Sequence, residues 1–339
     1  EFNLIENVFF SNCKKFGYPQ KITKEVWTQI VSFGNYAFSK GHSASYAVES
    51  FQSLYLKAYY PLEYMVATIN NGGGFYQKEL YIHEAKMCGG EIHGPCINNS
   101  SKLTKIYNDK IFLGLDMIHE ISQEVIQNIE QEKSQNGSFE NFENFTERVN
   151  IPKKQLLLLI RTGCFNFTKQ KKKELLWEAH LSYSDIPTSM GKRLFYNLPK
   201  QFKIPPLECY KNETIFDQLE LLGFPIELPF DMVEKRSNKY IKVKEMKKYL
   251  NKEITMIGYF ISKKTVTTIN KQLMYFGTFL DEDGTFLDTI HFPNEAYKYP
   301  FTGNGVYLLK GKITVEFDFY SLKVICIERL QYKKDERFN

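Results

Sequence analysis

The sequence predicts a multi-domain α+β protein, helical in its first part and ending in a small five-stranded all-β barrel. Apolar residues recur at helical spacing through about the first 180 residues. From Glu253 onward the pattern changes to the alternation typical of strands. A chain of 339 residues is also long enough to form more than one hydrophobic core, so several domains are expected.

Composition limits the class of protein. The formal net charge of +5 is compatible with a nucleic-acid partner but does not require one. The six cysteines form no C-x-x-C pair, and no apolar run is long enough to cross a membrane, so we expect a reduced, soluble, cytoplasmic protein. Because the sequence begins at Glu1 without a methionine, we expect it to be a piece of a longer chain.

The first 60 residues predict three helices. Two of them, Leu4 to Phe16 and Lys24 to Ser32, are separated by the turn sequence GYPQ. The third is predicted from Ser43 to Tyr60, with Ser43 as N-cap and Pro61 as the stop. It should bury one apolar stripe. The stripe consists of Ala44, Ala47, Val48, Phe51, Leu54, Tyr55 and Tyr59.

The residues before Ser43 suggest an anion site. Lys40, Gly41 and His42 place a cation, a flexible hinge and a titratable donor at the positive end of the helix. The alternative is a capped amphipathic helix on which Lys40 and His42 are only solvated. Local sequence does not decide between these two interpretations.

The longer stretch carries a family resemblance. From Phe33 the order is F-x-x-Y-x-F-x-K-x-H-x-x-x-Y-A, and from Gln52 it is Q-x-x-Y-L-K-x-x-Y-P-x-E. This pattern closely resembles the fingers signature of the alpha subunits of bacterial DNA polymerase III, the C-family polymerases. The resemblance implies that Lys40, His42 and Tyr46 contact the incoming deoxynucleoside triphosphate. Gly41 departs from the usual serine and removes one hydroxyl donor.

The next segment contains two motifs that we interpret as structural. The glycines at positions 72–74 are not followed by G-K-[ST], so a phosphate-binding loop is disfavoured. His83, Cys88, His93 and Cys96 have ligand types suited to zinc. However, His83 and Cys88 are five residues apart on a predicted helix, Gln77 to Cys88, and face apart. We therefore predict no metal site.

From Ile111 the sequence predicts two helical pairs, each with a short hairpin. They resemble the tandem helix-hairpin-helix module of the same family, in which glycine N–H groups approach phosphates of duplex DNA. Glu120 and Ser122 replace glycines of the first hairpin, and an acid there should weaken phosphate contact. Gly114 and Gly163 remain. The predicted DNA-binding residues are Lys153, Lys154, Arg161, Gly163, Lys169, Lys171, Lys172 and Lys173. The alternative for the basic run is a solvated face.

Residues 182–250 are interpreted as a connector with one helix, Glu213 to Leu222. Within it, the segment from Gln218 to Leu222 resembles the short peptide by which replication proteins dock on the sliding clamp, which would use Gln218, Leu221 and Leu222. The alternative is that its leucines form the buried end of the helix.

The last part predicts an OB-fold: five β-rich runs, with a short helix at Asn294 to Tyr297 between the third and fourth. Its D-x-x-G-T turn resembles the OB domain of the same polymerases. Lys263, Lys264 and Lys271, with exposed aromatics, would contact single-stranded DNA. Alternation allows only about half of the aromatics to face outward. The aromatics considered are Tyr259, Tyr275, Phe276, Phe279, Phe286 and Phe292. Asp281 and Asp283 resemble a magnesium pair but lie in a turn, where Asp is favoured for its hydrogen bonds.

The predicted domains are part of the fingers (1–104), a tandem helix-hairpin-helix module (105–181), the connector (182–250) and an OB-fold (251–332). The resemblance implies part of a DNA-directed DNA polymerase for replication or translesion synthesis. The catalytic palm and its magnesium would lie outside this sequence, so the fragment should be inactive alone.

Expected partners are primer-template duplex, single-stranded template, a deoxynucleoside triphosphate and a sliding clamp, and no membrane. The GFY motif at Gly74 to Tyr76 resembles the error-prone branch. The alternative function is a non-catalytic DNA-binding accessory protein. An upstream reading frame that encodes palm carboxylates would distinguish the polymerase from this alternative.

Overall fold

The computed structural model describes residues 2–33, 40–182, 210, 212–234 and 240–338. The chain forms two compact units, Glu1–Tyr60 and Pro61–Asn339. Among the described residues, no helix is both long and apolar enough to cross a membrane.

The first unit contains three helices, α1 (Phe2–Lys15), α2 (Gln20–Phe33) and α3 (Lys40–Tyr59). The predicted turn between α1 and α2 is confirmed. Gly17 adopts a left-handed conformation with φ 73°, which ends α1 without a Cβ clash. The turn brings α1 against α2.

Aromatic packing holds α1 and α2 together. The ring of Trp27 lies 5.1 Å from the ring of Phe9 and 5.8 Å from that of Phe10, measured between centroids. Among the described residues of this unit, only Thr23 and Trp27 are buried. The unit therefore has a very small core of its own.

The structure corrects two predictions for α3. The helix begins at Lys40, so Ser43 lies within it and is not the N-cap. Gly41 is no hinge: it lies within α3, and its carbonyl accepts a side-chain hydrogen bond from the Ser45 hydroxyl, one turn ahead, at 3.0 Å. One glycine costs a helix only about 1 kcal/mol, too little to delay its start.

The predicted buried stripe of α3 is also wrong. Val48, Leu54, Tyr55 and Tyr59 are exposed, and Phe51 is 74% exposed. The helix predicted from the amphipathic spacing is present, but its apolar face is not buried. The three helices alone provide too little surface to cover its apolar face.

The second unit begins with α4 (Pro61–Asn70) and α5 (Lys78–Met87). Pro61 opens α4 at the first helical position, where its missing N–H has no cost. A small sheet follows. It consists of β1 (Glu91–His93), β2 (Lys105–Tyr107) and β3 (Lys110–Phe112), with β3 parallel to β1 and antiparallel to β2.

A helical layer comes next. A one-turn 3-10 helix, Leu115–Met117, precedes α6, and another, Asn166–Thr168, lies between α8 and α9. The longer helices are α6 (Gln123–Asn136), α7 (Phe142–Arg148), α8 (Lys153–Thr162), α9 (Lys172–Ser182) and α10 (Glu213–Leu221). They share one hydrophobic core, which includes Phe145, Leu159 and Phe165.

The described part of the predicted connector is packed. Leu221, Leu222 and Phe224 enter the core of the helical layer. Phe230 and Val233 pack against the barrel that follows. Short 3-10 helices, Pro229–Met232 and Val243–Tyr249, complete the segment.

The closed barrel predicted for the C-terminal part is confirmed. Its strands are β4 (Glu253–Thr267), β5 (Leu273–Leu280), β6 (Phe286–His291), β7 (Val306–Glu316) and β8 (Phe319–Arg329), in the order β4-β5-β6-β8-β7. The predicted helix α11 (Pro293–Lys298) lies between β6 and β7. This order, closed by β4 and β7, is that of an OB-like barrel.

Inward residues fill the barrel. Phe279, Leu309 and Leu322 are fully buried at its centre. Where β7 and β8 approach most closely, a Cβ on Gly311 would lie 2.3 Å from the carbonyl oxygen of Lys323, so only glycine fits.

Candidate nucleic-acid interface

The first two turns of α3 contain two of the residues predicted to contact a nucleotide, His42 and Tyr46. The first four N–H groups of a helix have no intrahelical partner, and the helix dipole favours an anion there. His42 and Tyr46 lie one turn apart, with ring centroids 4.4 Å apart in an edge-to-face arrangement. The side chain of Lys40 lies outside the described residues. An anion site at this end of α3 stays a prediction.

The first hairpin of the helical layer, between the 3-10 helix and α6, contains Glu120 in a left-handed conformation with φ 61°. A glycine would adopt this conformation without cost. Gln155 of α8 braces the hairpin. Its side-chain oxygen accepts from the N–H of Ser122 at 2.7 Å, and its amide nitrogen donates to the carbonyl of Glu120 at 3.0 Å. The strained turn is thereby held in place.

The Glu120 side chain pairs with Lys154 at 2.9 Å. The hydrogen bond from Lys154 lowers the pKa of the Glu120 carboxyl, so the side chain stays ionised at neutral pH. Both groups are exposed. An acid thus occupies the surface of the first hairpin, as the sequence predicts.

The second hairpin, between α8 and α9, turns at Gly163, where φ is 87°. The Gly163 N–H donates to the carbonyl of Ile160 at 3.0 Å and closes α8. A Cβ at Gly163 would lie 3.0 Å from the amide of Asn166. The glycine is thus required by the turn itself, whether or not it meets a phosphate.

The predicted cations of this region fall into two groups. Lys154, Lys169 and Lys171 are exposed. Arg161, Lys172 and Lys173 are less exposed and face acids of α10. Lys153 is half-buried in the first turn of α8. The exposed group has the geometry to reach a phosphate without breaking an internal contact to α10.

Asp217 of α10 pairs with two cations of the second group and with a third cation near the C-terminus. Its side chain is 1% exposed and pairs with Arg161 at 2.7 Å, Lys172 at 2.8 Å and Arg337 at 2.8 Å. Burial alone would raise the pKa of this carboxyl, but hydrogen bonds from Lys172, Arg337 and Arg161 hold the pKa below its usual value. Sequence analysis missed this cluster because its members are far apart in the chain.

Lys173 has separate partners. Its ammonium lies 3.8 Å from the carboxylate of Glu213 and 4.2 Å above the ring of Tyr210. Both contacts also direct this cation toward the α10 side of α9.

The residues predicted to bind a clamp lie on α10 and just after it. Leu221 and Leu222 are buried in the core, and the Gln218 side chain accepts from the N–H of Ile226 at 3.0 Å. Docking of these residues on a clamp would require α10 to leave that core.

The outer face of the barrel carries part of the predicted single-strand platform. Lys263 lies 4.9 Å above the ring of Tyr275, and Lys271 occupies the β4–β5 turn with φ 58°. Of the six aromatics, Tyr259 and Phe279 are buried, whereas Phe276 and Phe292 are 41% and 38% exposed. The remaining two, Tyr275 and Phe286, are half-buried.

The structure adds two cations to this face. Strand pairing aligns an outward row across β7, β8, β6, β5 and β4. In order, the row is Lys312, Lys323, Ile290, Phe276 and Lys264. Lys312 and Lys323 are directly opposite and exposed, an arrangement that like charges normally disfavour. Alternation in β7 could have indicated Lys312, but its pairing with Lys323 depends on register.

The pair Asp281 and Asp283 does not fit a magnesium site. Asp281 is buried and accepts from the N–H groups of Asp283 at 3.0 Å, Thr285 at 2.8 Å and Val243 at 2.9 Å. Asp283 pairs with two lysines, Lys242 and Lys244. Asp281 thus serves the turn, as the sequence predicts, whereas the oxygens of Asp283 are used by the two lysines.

Two of the four residues considered as zinc ligands, His83 and His93, make other contacts. His83 lies with Nε2 2.9 Å from the carbonyl of Gly284, and His93 stacks on Phe112 at 4.6 Å between centroids. Across the described ranges, no group of three or more His, Cys, Asp or Glu side chains could hold a metal ion.

A half-buried acid, Glu79, joins α5 to the barrel. Burial raises the pKa of Glu79 to about 7, while a hydrogen bond with Tyr259 acts in the opposite direction. Burial also raises the pKa of the Tyr259 hydroxyl, so it remains a donor. Neither residue was predicted to have this role.

Comparison with known proteins agrees with this arrangement. Residues 89–175 match a family model described as helix-hairpin-helix motif. The DNA polymerase III subunit alpha of Borreliella burgdorferi is 29% identical over 98% of this chain, and that of Aquifex aeolicus is 27% identical over 96%. The chain is thus similar, over nearly its whole length, to part of these DNA polymerase III alpha subunits. A third relative, the alpha subunit of Campylobacter jejuni, is 30% identical over 65% of this chain.

The match covers only part of each DNA polymerase III relative. The chain spans 31% of the Borreliella burgdorferi protein, 28% of the Aquifex aeolicus protein and 19% of the Campylobacter jejuni protein. The similarity extends across both units of the chain. The helix-hairpin-helix match lies within the second unit and ends in α9.

Proposed function

We propose that this chain is part of a DNA-directed DNA polymerase, in which it contacts the incoming nucleotide and binds primer-template and single-stranded DNA. The observation that carries the proposal is similarity to polymerase alpha subunits over 98% of the chain. The helix-hairpin-helix match and the OB-like barrel support a role in DNA binding.

In this proposal, the first turn of α3 contacts the triphosphate. Open N–H groups, Lys40 and His42 would offset charge on the transferred and leaving oxygens. Tyr46, one turn further, is exposed and in contact with His42, so the pair can line the same pocket.

The magnesium ions that phosphoryl transfer uses would be held by carboxylates elsewhere in the polymerase, since Asp281 and Asp283 do not fit. The residues of this chain would position the triphosphate and offset its negative charge, and none of them would bind the metal ions.

DNA contact would come from two surfaces of the second unit. The exposed lysines Lys154, Lys169 and Lys171 would meet duplex phosphates, and the outward row of the barrel would follow a single strand. Arg161, Lys172 and Lys173 would act mainly by holding α10 in place.

The nucleotide role is tested by Lys40→Ala in the full-length polymerase. We expect a higher apparent KM for deoxynucleoside triphosphate with DNA affinity little changed, because only the triphosphate loses a cation. Lys24→Ala, an exposed lysine of α2, is the matched control. Unaltered nucleotide kinetics in Lys40→Ala would contradict the assignment.

A further inference from the structure

Two free cysteines of the second unit, Cys96 and Cys164, lie side by side although they are far apart in the chain. The N–H of Ile97, the residue after Cys96, donates to the carbonyl of Cys164 at 3.1 Å. Standard bond lengths and a near-linear hydrogen bond place the Cα atoms of the two cysteines about 4 to 6 Å apart. Disulfide-bonded cysteines have Cα atoms about 4.4 to 6.8 Å apart. The two backbone positions therefore permit a disulfide.

Both cysteine backbones are already held in this arrangement. On one side, the N–H of Cys96 donates to the Ser100 hydroxyl at 2.9 Å, and the N–H of Ser100 donates to the carbonyl of Cys96 at 2.8 Å. On the other side, Cys164 follows the Gly163 turn, and its N–H donates to the carbonyl of Leu159 at 3.0 Å. A disulfide would thus require rotation of two short side chains and little movement of the main chain.

The two thiols have different surroundings. Cys96 is half-buried, whereas Cys164 is fully buried in the core of the helical layer. Burial, with a smaller contribution from charge on Cys96, raises the pKa of the Cys164 thiol, so this thiol stays protonated at neutral pH. Lys133 lies near Cys96, since its ammonium donates to the carbonyls of Ile97 at 3.1 Å and Ser100 at 2.6 Å. Reactive cysteines are partly exposed and lie near a cation, so Cys96 is the thiol that an oxidant meets first.

Going beyond the proposed function, we propose that Cys96 and Cys164 are an oxidation site that closes to a disulfide when the chain meets a peroxide. The Cys96 sulfur attacks one oxygen of hydrogen peroxide, the O–O bond breaks, and the other oxygen leaves with the thiol proton as water. Cys96 is then a sulfenic acid. The Cys164 sulfur attacks the Cys96 sulfur, the S–O bond breaks, and the hydroxyl group leaves with the Cys164 proton as water. The net change converts two thiols and one peroxide into one disulfide and two waters.

The disulfide would join the loop at residues 96–100 to the second hairpin of the helical layer. A cross-link between positions far apart in the chain restricts the unfolded state and so stabilises the fold. Thiol reductants reverse the bond by thiol–disulfide exchange. The site would therefore record exposure to an oxidant as a reversible gain in stability.

The test treats the folded 339-residue chain with hydrogen peroxide, blocks free thiols, digests with trypsin without reductant and identifies linked peptides by mass. Cys88 and Cys96 share the tryptic peptide 87–102, so the assay uses the Cys88→Ser variant. We expect this peptide to be joined to peptide 162–169 with loss of two hydrogens, and dithiothreitol to release both. Cys326, which is also half-buried, is the matched control and should remain unlinked.

Thermal unfolding supplies a second readout. The oxidised chain should have a Tm about 4 to 8 °C above that of the reduced chain, the gain expected from one disulfide in a unit of this size. Cys96→Ser should abolish both the link and the gain, while its Tm under reducing conditions stays within about 2 °C of the unsubstituted value.

Three results would overturn the proposal. They are the absence of the link in the folded chain, a link no more frequent in the folded chain than in urea, and a linked chain whose Tm is unchanged or lower. Because the assay contains no DNA, each of them would leave the proposed function untouched.

Discussion

Glu120 places an acidic side chain in a hairpin for which we propose DNA binding. It adopts a left-handed conformation that suits glycine, and its carboxylate lies on the surface of the first hairpin beside Lys154. Because both groups are exposed, the ion pair adds little to the stability of the fold. Its main consequence is that an acid lies beside Lys154 and weakens the attraction of this lysine for phosphate.

We expect Glu120→Gly to strengthen duplex DNA binding by about threefold or more, because it removes an acid near phosphate and releases Lys154. Binding titration with a duplex at low salt measures this effect. Glu120→Gln is the matched comparison, since it removes the charge but keeps the strained turn. Duplex affinity that is unchanged in both variants would show that the first hairpin does not face DNA.

Glu79 makes stability depend on pH. Its pKa in the folded chain is about 7, above the ordinary value of 4.5, so the folded state binds the proton more tightly than the unfolded state. The resulting stability is fully present below about pH 4.5 and is lost as pH rises through about 7.

Glu79→Gln should therefore raise Tm at pH 8 relative to the unsubstituted chain and change it less at pH 4.5. Thermal unfolding at the two pH values measures the difference. Glu84→Gln on the same helix is the control. An equal shift at both pH values would show that burial of the Glu79 charge is not the cause.

Local sequence predicted some residue roles and missed others. The Asp281 turn was predictable because Asp accepts from N–H groups two and four residues ahead. Asp217 was not, since its partners Lys172 and Arg337 lie 45 and 120 residues away. A buried ion cluster leaves no periodic signal in sequence.

Among the elements, α10 decides which basic residues of α8 and α9 remain exposed, because its acids pair with Arg161, Lys172 and Lys173. Asp217 on this helix binds α8 through Arg161, α9 through Lys172 and the C-terminal segment through Arg337. Removal of one partner from a buried ion cluster leaves the others uncompensated.

We expect Asp217→Asn to lower the free energy of unfolding by about 3 kcal/mol, because three cations would surround a neutral amide. Urea unfolding at neutral pH measures this loss. Glu220→Gln, which removes an exposed partner of Arg161, should cost less than about 1 kcal/mol. Equal effects of the two substitutions would contradict a central role for Asp217.

The existence of helix α3 was predictable from the sequence, but its start and the exposure of its apolar face were not. Its existence followed from apolar spacing, but its start at Lys40 did not, because the predicted N-cap, Ser43, lies inside the helix. Its exposed apolar face was also unpredictable, since amphipathic spacing indicates that a face prefers burial and does not show what covers it.

At the scale of the whole molecule, the order of elements was the most predictable feature. The five strands and the position of α11 followed from alternation and turn residues, and together they specified the barrel order. The cross-barrel row from Lys312 to Lys264 required the register of four strand pairs. Sequence alternation gives the face of each residue but not its neighbour on the next strand.

The central claim is that exposed lysines of the second unit bind DNA phosphates. The most direct test is the salt dependence of primed-duplex binding by the 339-residue chain. If Lys154, Lys169 and Lys171 each displace one counterion, they alone contribute a slope of about −3 to the plot of log K against log salt concentration. The account predicts a slope at least this steep, reduced by about 3 in the Lys154→Ala/Lys169→Ala/Lys171→Ala variant. A flat plot, or a slope that the triple variant leaves unchanged, would contradict it.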